Sequence, residues 1–526
     1  MASPFRRKDW VYQGCEWNPE ARRPEAPGRM VTYDLDSVAH GTIMAQTGAG
    51  KGAGVEVPNL LMDGLRRVNL ISQDPTGQNA KISWRWRSMF SDVEFLNPHG
   101  LHDLPDSGCN PMLSIESMED AIAVGEAFEE VDHAAREKFF SESTQKLIGG
   151  VFLGVVRGAR ANKETPKVET AIKILMTDIE GFASAMALSG DYELEGLLSR
   201  YAPKDGVQTN RTIEAIKQTA HNAAAWALSA SMRKSLSVDK GIDWTRLKHG
   251  KRPMTVYLIL AASKLGPSTG APWLKLMNIS ALNTLYRLGG GGPRKTLFMM
   301  SEFAAIGRLN AVITGLTQAR KYQVRFLLVL QDTGQLESIY GKAAASTVIG
   351  NTGALLAFAP APADNPTAEF LSLTGGTQWV VEPSVSDDPM GGPARINYGL
   401  RERRIWSPDM VRSLPDYHAL AWQNGDAQPM PVVCPPYFTG ELDHWIRGRY
   451  DADPYHPSSS PATYRGPGRR MIAASLAAAA VIGGGVWLAH ATPPAHVSPS
   501  ISGTSRVDPQ IDPGKHHKPQ RHEAKR

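Results

Sequence analysis

Cysteine is scarce in this chain: three residues in 526, Cys15, Cys109 and Cys434, far apart in sequence. They supply neither a disulfide framework nor a metal-binding spacing, which fits a reducing compartment. A strong charge of one sign is also missing. Lys plus Arg number 57 against 52 Asp plus Glu, a net charge of +5, and much of that excess sits in the C-terminal tail. The body is nearly balanced, so charge neither demands nor excludes nucleic acid. Residues 1–29 are polar and rich in Arg and Pro, with no apolar core segment. They read as neither a signal peptide nor an anchor. No internal repeat is found.

Long apolar runs are equally rare. The exception is Met471–His490, M-I-A-A-S-L-A-A-A-A-V-I-G-G-G-V-W-L-A-H, which carries no Asp, Glu, Lys or Arg. As a helix it would span roughly 30 Å, the thickness of a hydrocarbon core. Arg469 and Arg470 flank one end and Trp487 lies near the other, where an interfacial aromatic belongs. It reads as a single membrane span. Asp451–Gly468, rich in Pro, Ser and Gly, reads as a linker before it. Residues 491–526, rich in Pro, His, Lys and Arg, read as a disordered tail.

What the chain does have is centred on Thr42–Gly54, T-I-M-A-Q-T-G-A-G-K-G-A-G. An apolar run feeds a glycine-rich turn, then Lys51, then a segment able to start a helix. Glycines let consecutive backbone N–H groups face an anion, and the helix adds its positive end. Thr47, Gly48, Ala49, Gly50, Lys51 and Gly52 are the candidate phosphate contacts, with Lys51 reaching the β- and γ-phosphates. Two positions depart from G-x-x-x-x-G-K-[S/T]: Ala45 replaces the first glycine, and Gly52 stands where a hydroxyl would serve magnesium.

Short apolar runs at Arg66–Ser72, Val93–Leu96, Pro253–Ala262, Thr296–Ser301, Val324–Gln331, Ala354–Phe358 and His418–Trp422 alternate with helical patterns. Alternation of this kind predicts a parallel α/β sheet with its ligand at the carboxyl ends of the strands. Between about Ser114 and Ser235 the periodicity is helical and strands are lacking. The expected organisation is a nucleotide-binding α/β domain over 30–113 and 250–445, an all-α domain over 114–249 inserted into it, a linker over 446–470, and the membrane helix.

The partner of a phosphate loop is an apolar strand ending in acids, of which one holds magnesium and the next orients water. In L-F-M-M-S-E-F the first acid is replaced by Ser301 and the second remains as Glu302, the candidate base. Gln331 ends the next strand, either sensing the γ-phosphate or capping the strand. Asp74, before Pro75, either assists at the metal or caps a turn. Arg308 and Arg320 are either arginine fingers for a neighbouring subunit or solvated arginines. The expectation is retained ATP binding with weakened magnesium-assisted hydrolysis.

These motifs resemble, in order, those of the TraG-like coupling proteins of type IV secretion and conjugative DNA transfer. Q-T-G-A-G-K-G-A-G-V-E-V-P-N-L-L looks like the family's phosphate loop. Asp74-Pro75-Thr76-Gly77-Gln78 is similar to D-P-K-G-E, and Asn110-Pro111-Met112 to N-P-L. Ser301-Glu302-Phe303-Ala304-Ala305-Ile306-Gly307-Arg308 resembles D-E-F-A-N-L-G-R with the aspartate lost. Gln331-Asp332 with Gln335-Leu336, and S-P-D-M-V-R-S-L-P after Arg404, match further segments. The resemblance implies a RecA-like nucleotide-binding domain plus an all-α domain, assembled as a hexameric ring at the bacterial inner membrane with its bulk in the cytoplasm. It implies ATP and magnesium as cofactors. As partners it implies other copies of the chain, a relaxase–DNA complex or effector proteins, and the secretion channel. A non-hydrolysing receptor of the same shape is the alternative. The family usually anchors through N-terminal helices, whereas the candidate span here is C-terminal.

Overall fold

Eleven strands form one sheet in a computed structural model that describes residues 8–19, 27–130, 135–203, 210–266, 268–386 and 395–456. In chain order they are β1 (Trp10–Glu16), β2 (Met30–Asp34), β3 (His40–Met44), β4 (Asn69–Asp74), β5 (Asp92–Leu96), β6 (Met254–Ile259), β7 (Thr296–Met300), β8 (Val324–Leu330) and β9 (Ala354–Phe358). A separate hairpin, β10 (Thr377–Ser386) and β11 (Arg395–Arg404), precedes the last two, β12 (His418–Gln423) and β13 (Met430–Val433). Across the large sheet the order is β2-β1-β13-β12-β9-β3-β8-β7-β4-β6-β5. From β9 to β5 every pairing is parallel; from β9 to β2 every pairing is antiparallel.

The inner parallel strands carry apolar side chains on both of their faces because both faces are covered. In β7, Leu297 and Met299 join one core while Phe298 and Met300 join the other. β8 divides likewise, with Leu327 and Val329 on one face and Phe326, Leu328 and Leu330 on the other. One face is covered by the two helices α1 (Val57–Leu61) and α2 (Gln78–Ser88). The other receives the long helix Ala271–Arg287, fourteen of whose residues are buried, and beyond it α3 (Met118–Phe128) and α4 (Ala135–Ala161). Between β5 and β6 the described chain holds helices and turns without a strand, as the periodicity predicts. Those helices share one continuous apolar core with the sheet.

Three elements depart from the sequence reading. Residues 1–29 are expected to be a polar segment, yet Trp10–Glu16 is a strand whose middle five residues are buried, paired to β2 and β13. The β10–β11 hairpin was not expected. The stretch assigned to a linker is packed as far as the structure describes it: Ile446, Tyr450 and Asp453 are buried, and Asp453 accepts from Gln78 and Tyr437 at 2.8 and 2.9 Å. The expected membrane helix, 471–490, and tail, 491–526, lie outside the described residues. Among the described residues no helix is long and apolar enough to cross a membrane.

Candidate nucleotide site

Adjacent parallel strands place their carboxyl ends side by side. Met44 of β3 pairs with Leu330 of β8, Leu328 of β8 with Met300 of β7, and Met300 with Gln73 of β4. The residues that follow therefore share one edge: the glycine loop after β3, Gln331 after β8, Ser301 and Glu302 after β7, and Asp74 closing β4.

In the loop, Gly48 and Gly50 take φ of 84° and 90°, conformations that side chains other than glycine's adopt rarely. Thr47 and Gly48 are exposed, while Ala49, Gly50, Lys51 and Gly52 are half-buried. A wide helical turn, Gly52–Glu56, then runs into α1, with the Val57 N–H donating to the Gly52 carbonyl. Wide turns of this type concentrate at functional sites. The Tyr417 ring lies over the loop, so close that a Cβ on Gly50 would fall 2.4 Å from it.

Lys51 Nζ stands 2.9 Å from Glu302 Oε1, and Gln331 Nε2 donates to Glu302 Oε2 at 2.9 Å. Three sequence-predicted residues thus meet in one cluster. Glu302 holds left-handed backbone angles, φ 53° and ψ 47°. A glutamate in that region costs of order 1–3 kcal/mol and marks sites where placement of the side chain matters more than local stability.

Behind the lysine lies a second, buried group. Ser301 donates from its hydroxyl to Glu56 Oε2, which also accepts from Asn79 Nδ2 at 3.1 Å. Gln73 Nε2 donates to the Ser301 carbonyl at 2.6 Å. Burial pushes the Glu56 carboxyl above its ordinary range, against the opposing pull of those two hydrogen bonds and of Lys51. Asp74 is buried as well and is pushed up to about 7, mainly by burial and further by Glu56. It accepts from the Ala80 N–H at 2.8 Å, so the turn-capping role foreseen for it is realised at the start of α2.

Arg320 is not brought to this edge. It lies just before β8, at the amino ends of the strands, and donates to the Asp36 carbonyl at 3.1 Å. Arg308 donates to Asn310 Oδ1 at 2.8 Å and stacks over Tyr340. Glu56, Gln73 and Tyr417 escaped the sequence reading. A lone acid in the mainly apolar G-V-E-V-P-N-L-L was the one available signal for Glu56.

The oxygen atoms gathered here, the Ser301 hydroxyl and the Glu56 and Glu302 carboxylates, suit a hard cation such as magnesium. Gly52 offers none, but no atom lies within 4 Å of where its Cβ would be. Among the described residues no three His, Cys, Asp or Glu side chains converge as a metal cage.

The chain is similar to several known proteins. VirD4 of Agrobacterium fabrum strain C58 is 26% identical over 347 residues, covering 62% of this chain and 48% of that protein. A probable conjugal transfer protein TraG of Sinorhizobium fredii is 22% identical over 407 residues, 75% of this chain and 61% of its own. The chain spans about half the length of the VirD4 relatives it matches. Among solved structures, the unbound bacterial conjugative coupling protein TrwB superposes with a TM-score of 0.58 at 17% identity, covering 81% of this chain and 94% of that one. TrwB in complex with ADP and magnesium superposes with a TM-score of 0.57 at 16% identity, covering 83% and 96%. These likenesses show a shared fold. The family model for conjugative DNA transfer by the type IV secretory system matches residues 6–439, and the chain belongs to that family, the type IV coupling proteins.

Proposed function

We propose that this chain binds ATP at the edge formed by β3, β7 and β8 and uses it to recruit a relaxase–DNA complex or effector proteins to a type IV secretion channel at the inner membrane. The observation that carries the reading is the meeting of Lys51, Glu302 and Gln331 on adjacent strand ends beneath a glycine loop. The loop N–H groups and Lys51 bind the phosphates. Lys51 pairs with Glu302, so phosphate oxygens compete with that carboxylate for the lysine and leave Glu302, oriented by Gln331, to position or deprotonate a water. The Ser301 hydroxyl would be the strand-end oxygen available to a magnesium ion, which would supply charge neutralisation at the phosphates.

The family resemblance supports a homo-oligomeric ring with nucleotide between subunits, and an all-α region, 114–249, that meets cargo. The apolar segment 471–490 is read as the membrane attachment. Titration of a fluorescent ADP analogue with wild type and Lys51→Ala tests the site: binding by the first and its loss in the second is the expected result, and equal binding contradicts it. ATP turnover with and without DNA then separates a motor from a receptor. Ser301 and Gly52, the two positions where magnesium ligands are altered, favour slow turnover.

A further inference from the structure

The carboxylate that is missing from the end of β7 has a counterpart one hydrogen bond away. Glu56 ends the wide turn after the loop and is 3% exposed. Its bonded partners are neutral, the Ser301 hydroxyl and the Asn79 amide. The cation acting on it through space, Lys51, is engaged with Glu302. Burying a carboxylate without a countercharge in contact costs several kcal/mol, and an apolar side chain would fill the same place at no such cost.

A second observation comes from a different strand. Gln73 on β4 is 1% exposed and spends its amide N–H on the Ser301 carbonyl. Its amide oxygen is buried and has no hydrogen-bond partner. An acceptor in that state calls for a donor such as an ordered water. Around Ser301 there are therefore an acid lacking a contacting cation and an amide oxygen lacking a donor. A magnesium ion bound with nucleotide needs only one or two protein carboxylates, the remaining positions going to phosphate oxygens and water.

We propose that Glu56 is the metal-side carboxylate of this nucleotide site, acting with the Ser301 hydroxyl and the Gln73 amide oxygen on the hydration shell of nucleotide-bound magnesium, in the part played elsewhere by a strand-end aspartate. The acid has moved from the strand to the helix across the serine. The proposal rests on the nucleotide-binding reading above, and its test separates the two.

ADP affinity of the full chain is measured with magnesium and with a chelator, and free manganese is counted by electron paramagnetic resonance in the presence of ADP. Wild type is expected to gain at least about tenfold in ADP affinity from magnesium, the scale on which groups around a metal act. Glu56→Gln keeps the chelator affinity and loses that gain, with manganese binding weakened about tenfold. The double variant E56V/S301D regains it by returning the acid to the strand. Should Glu56→Gln fold poorly, Ser301→Ala asks the same question by removing the hydroxyl that holds Glu56. An undiminished magnesium gain in a folded Glu56→Gln or Ser301→Ala variant overturns the proposal and leaves nucleotide binding standing, as does a wild type that binds ADP equally with and without the metal. A wild type that binds no ADP under either condition overturns the nucleotide reading itself.

Discussion

The pairing of Lys51 with Glu302 makes a residue-level trade between two uses of one cation. Each phosphate oxygen that Lys51 meets is gained by giving up Glu302, so affinity depends on both side chains. Glu302→Gln removes the competing charge while keeping a hydrogen-bond acceptor for Gln331. Nucleotide is expected to bind Glu302→Gln more tightly than wild type, by a few-fold, since a charge-assisted contact is worth roughly 1.5–3 kcal/mol before competition is counted. Turnover, if wild type shows any, is expected to fall by about 100-fold or more. Tighter binding with undiminished turnover would remove Glu302 from the chemistry. The glycines of the loop make a sharper contrast. Gly50→Ala puts a Cβ against Tyr417 at a φ of 90° and is expected to destabilise by about 1–3 kcal/mol. Gly52→Ser enters open space and is expected to change stability by less than about 0.5 kcal/mol. Thermal unfolding of both variants checks the pair.

Asp74 gives the same scale a pH dependence. Its carboxyl is raised to about 7 in the folded protein, by burial first and by Glu56 through space, against about 3.9 in an unfolded chain. The folded state holds the proton more tightly, so the contribution of this group is fully present below about 4 and is lost as pH rises to 7. Asp74→Asn does not titrate and keeps an oxygen for the Ala80 N–H. Relative to wild type it is expected to gain roughly 1.4 kcal/mol per pH unit across that window and to level off above it. Urea melts of both chains across the window decide this; a pH-independent difference contradicts it.

At the scale of elements, legibility followed burial on two faces. β6, β7, β8 and β9 are mainly apolar runs because helices or loops cover both sides, and such runs need no knowledge of partners to be seen. β1 is as buried, but Gln13 and Gly14 interrupt W-V-Y-Q-G-C-E, and its arginine- and proline-rich flanks resemble a polar leader. The hairpin failed for the opposite reason. Trp379, Val381, Ile396, Tyr398 and Leu400 all stay largely exposed, up to 72% for Tyr398, so neither strand has a buried face to impose alternation. That exposure has a measurable consequence. Trp379→Ser or Leu400→Ser is expected to shift unfolding by less than about 0.5 kcal/mol, whereas Phe298→Ala in β7, wholly buried, is expected to cost about 3–5 kcal/mol. Denaturant titration compares them. The metal side of the site was hidden by distance: Ser301 and Glu56 are 245 positions apart, and nothing local to either predicts that they touch.

Across the whole molecule, the antiparallel half of the sheet is sewn from both ends of the described chain. β1 lies between β2, its neighbour in sequence, and β13, which pairs Cys15 with Val433. Deleting residues 8–35 is therefore expected to damage the far end as well, baring the edge of β13 and the apolar groups that pack on Tyr12 and Cys15. Size-exclusion chromatography should show such a chain aggregated, while a chain stopped at Asp453 should elute as a folded species. The arrangement also sets a clock on biosynthesis. At about 5–20 residues per second, β1 waits roughly 20–80 s for β13, the strand that covers its second edge. Through that interval Val11, Tyr12 and Cys15 are a sticky, half-paired ribbon, and the growing chain depends on whatever shields it until β13 arrives.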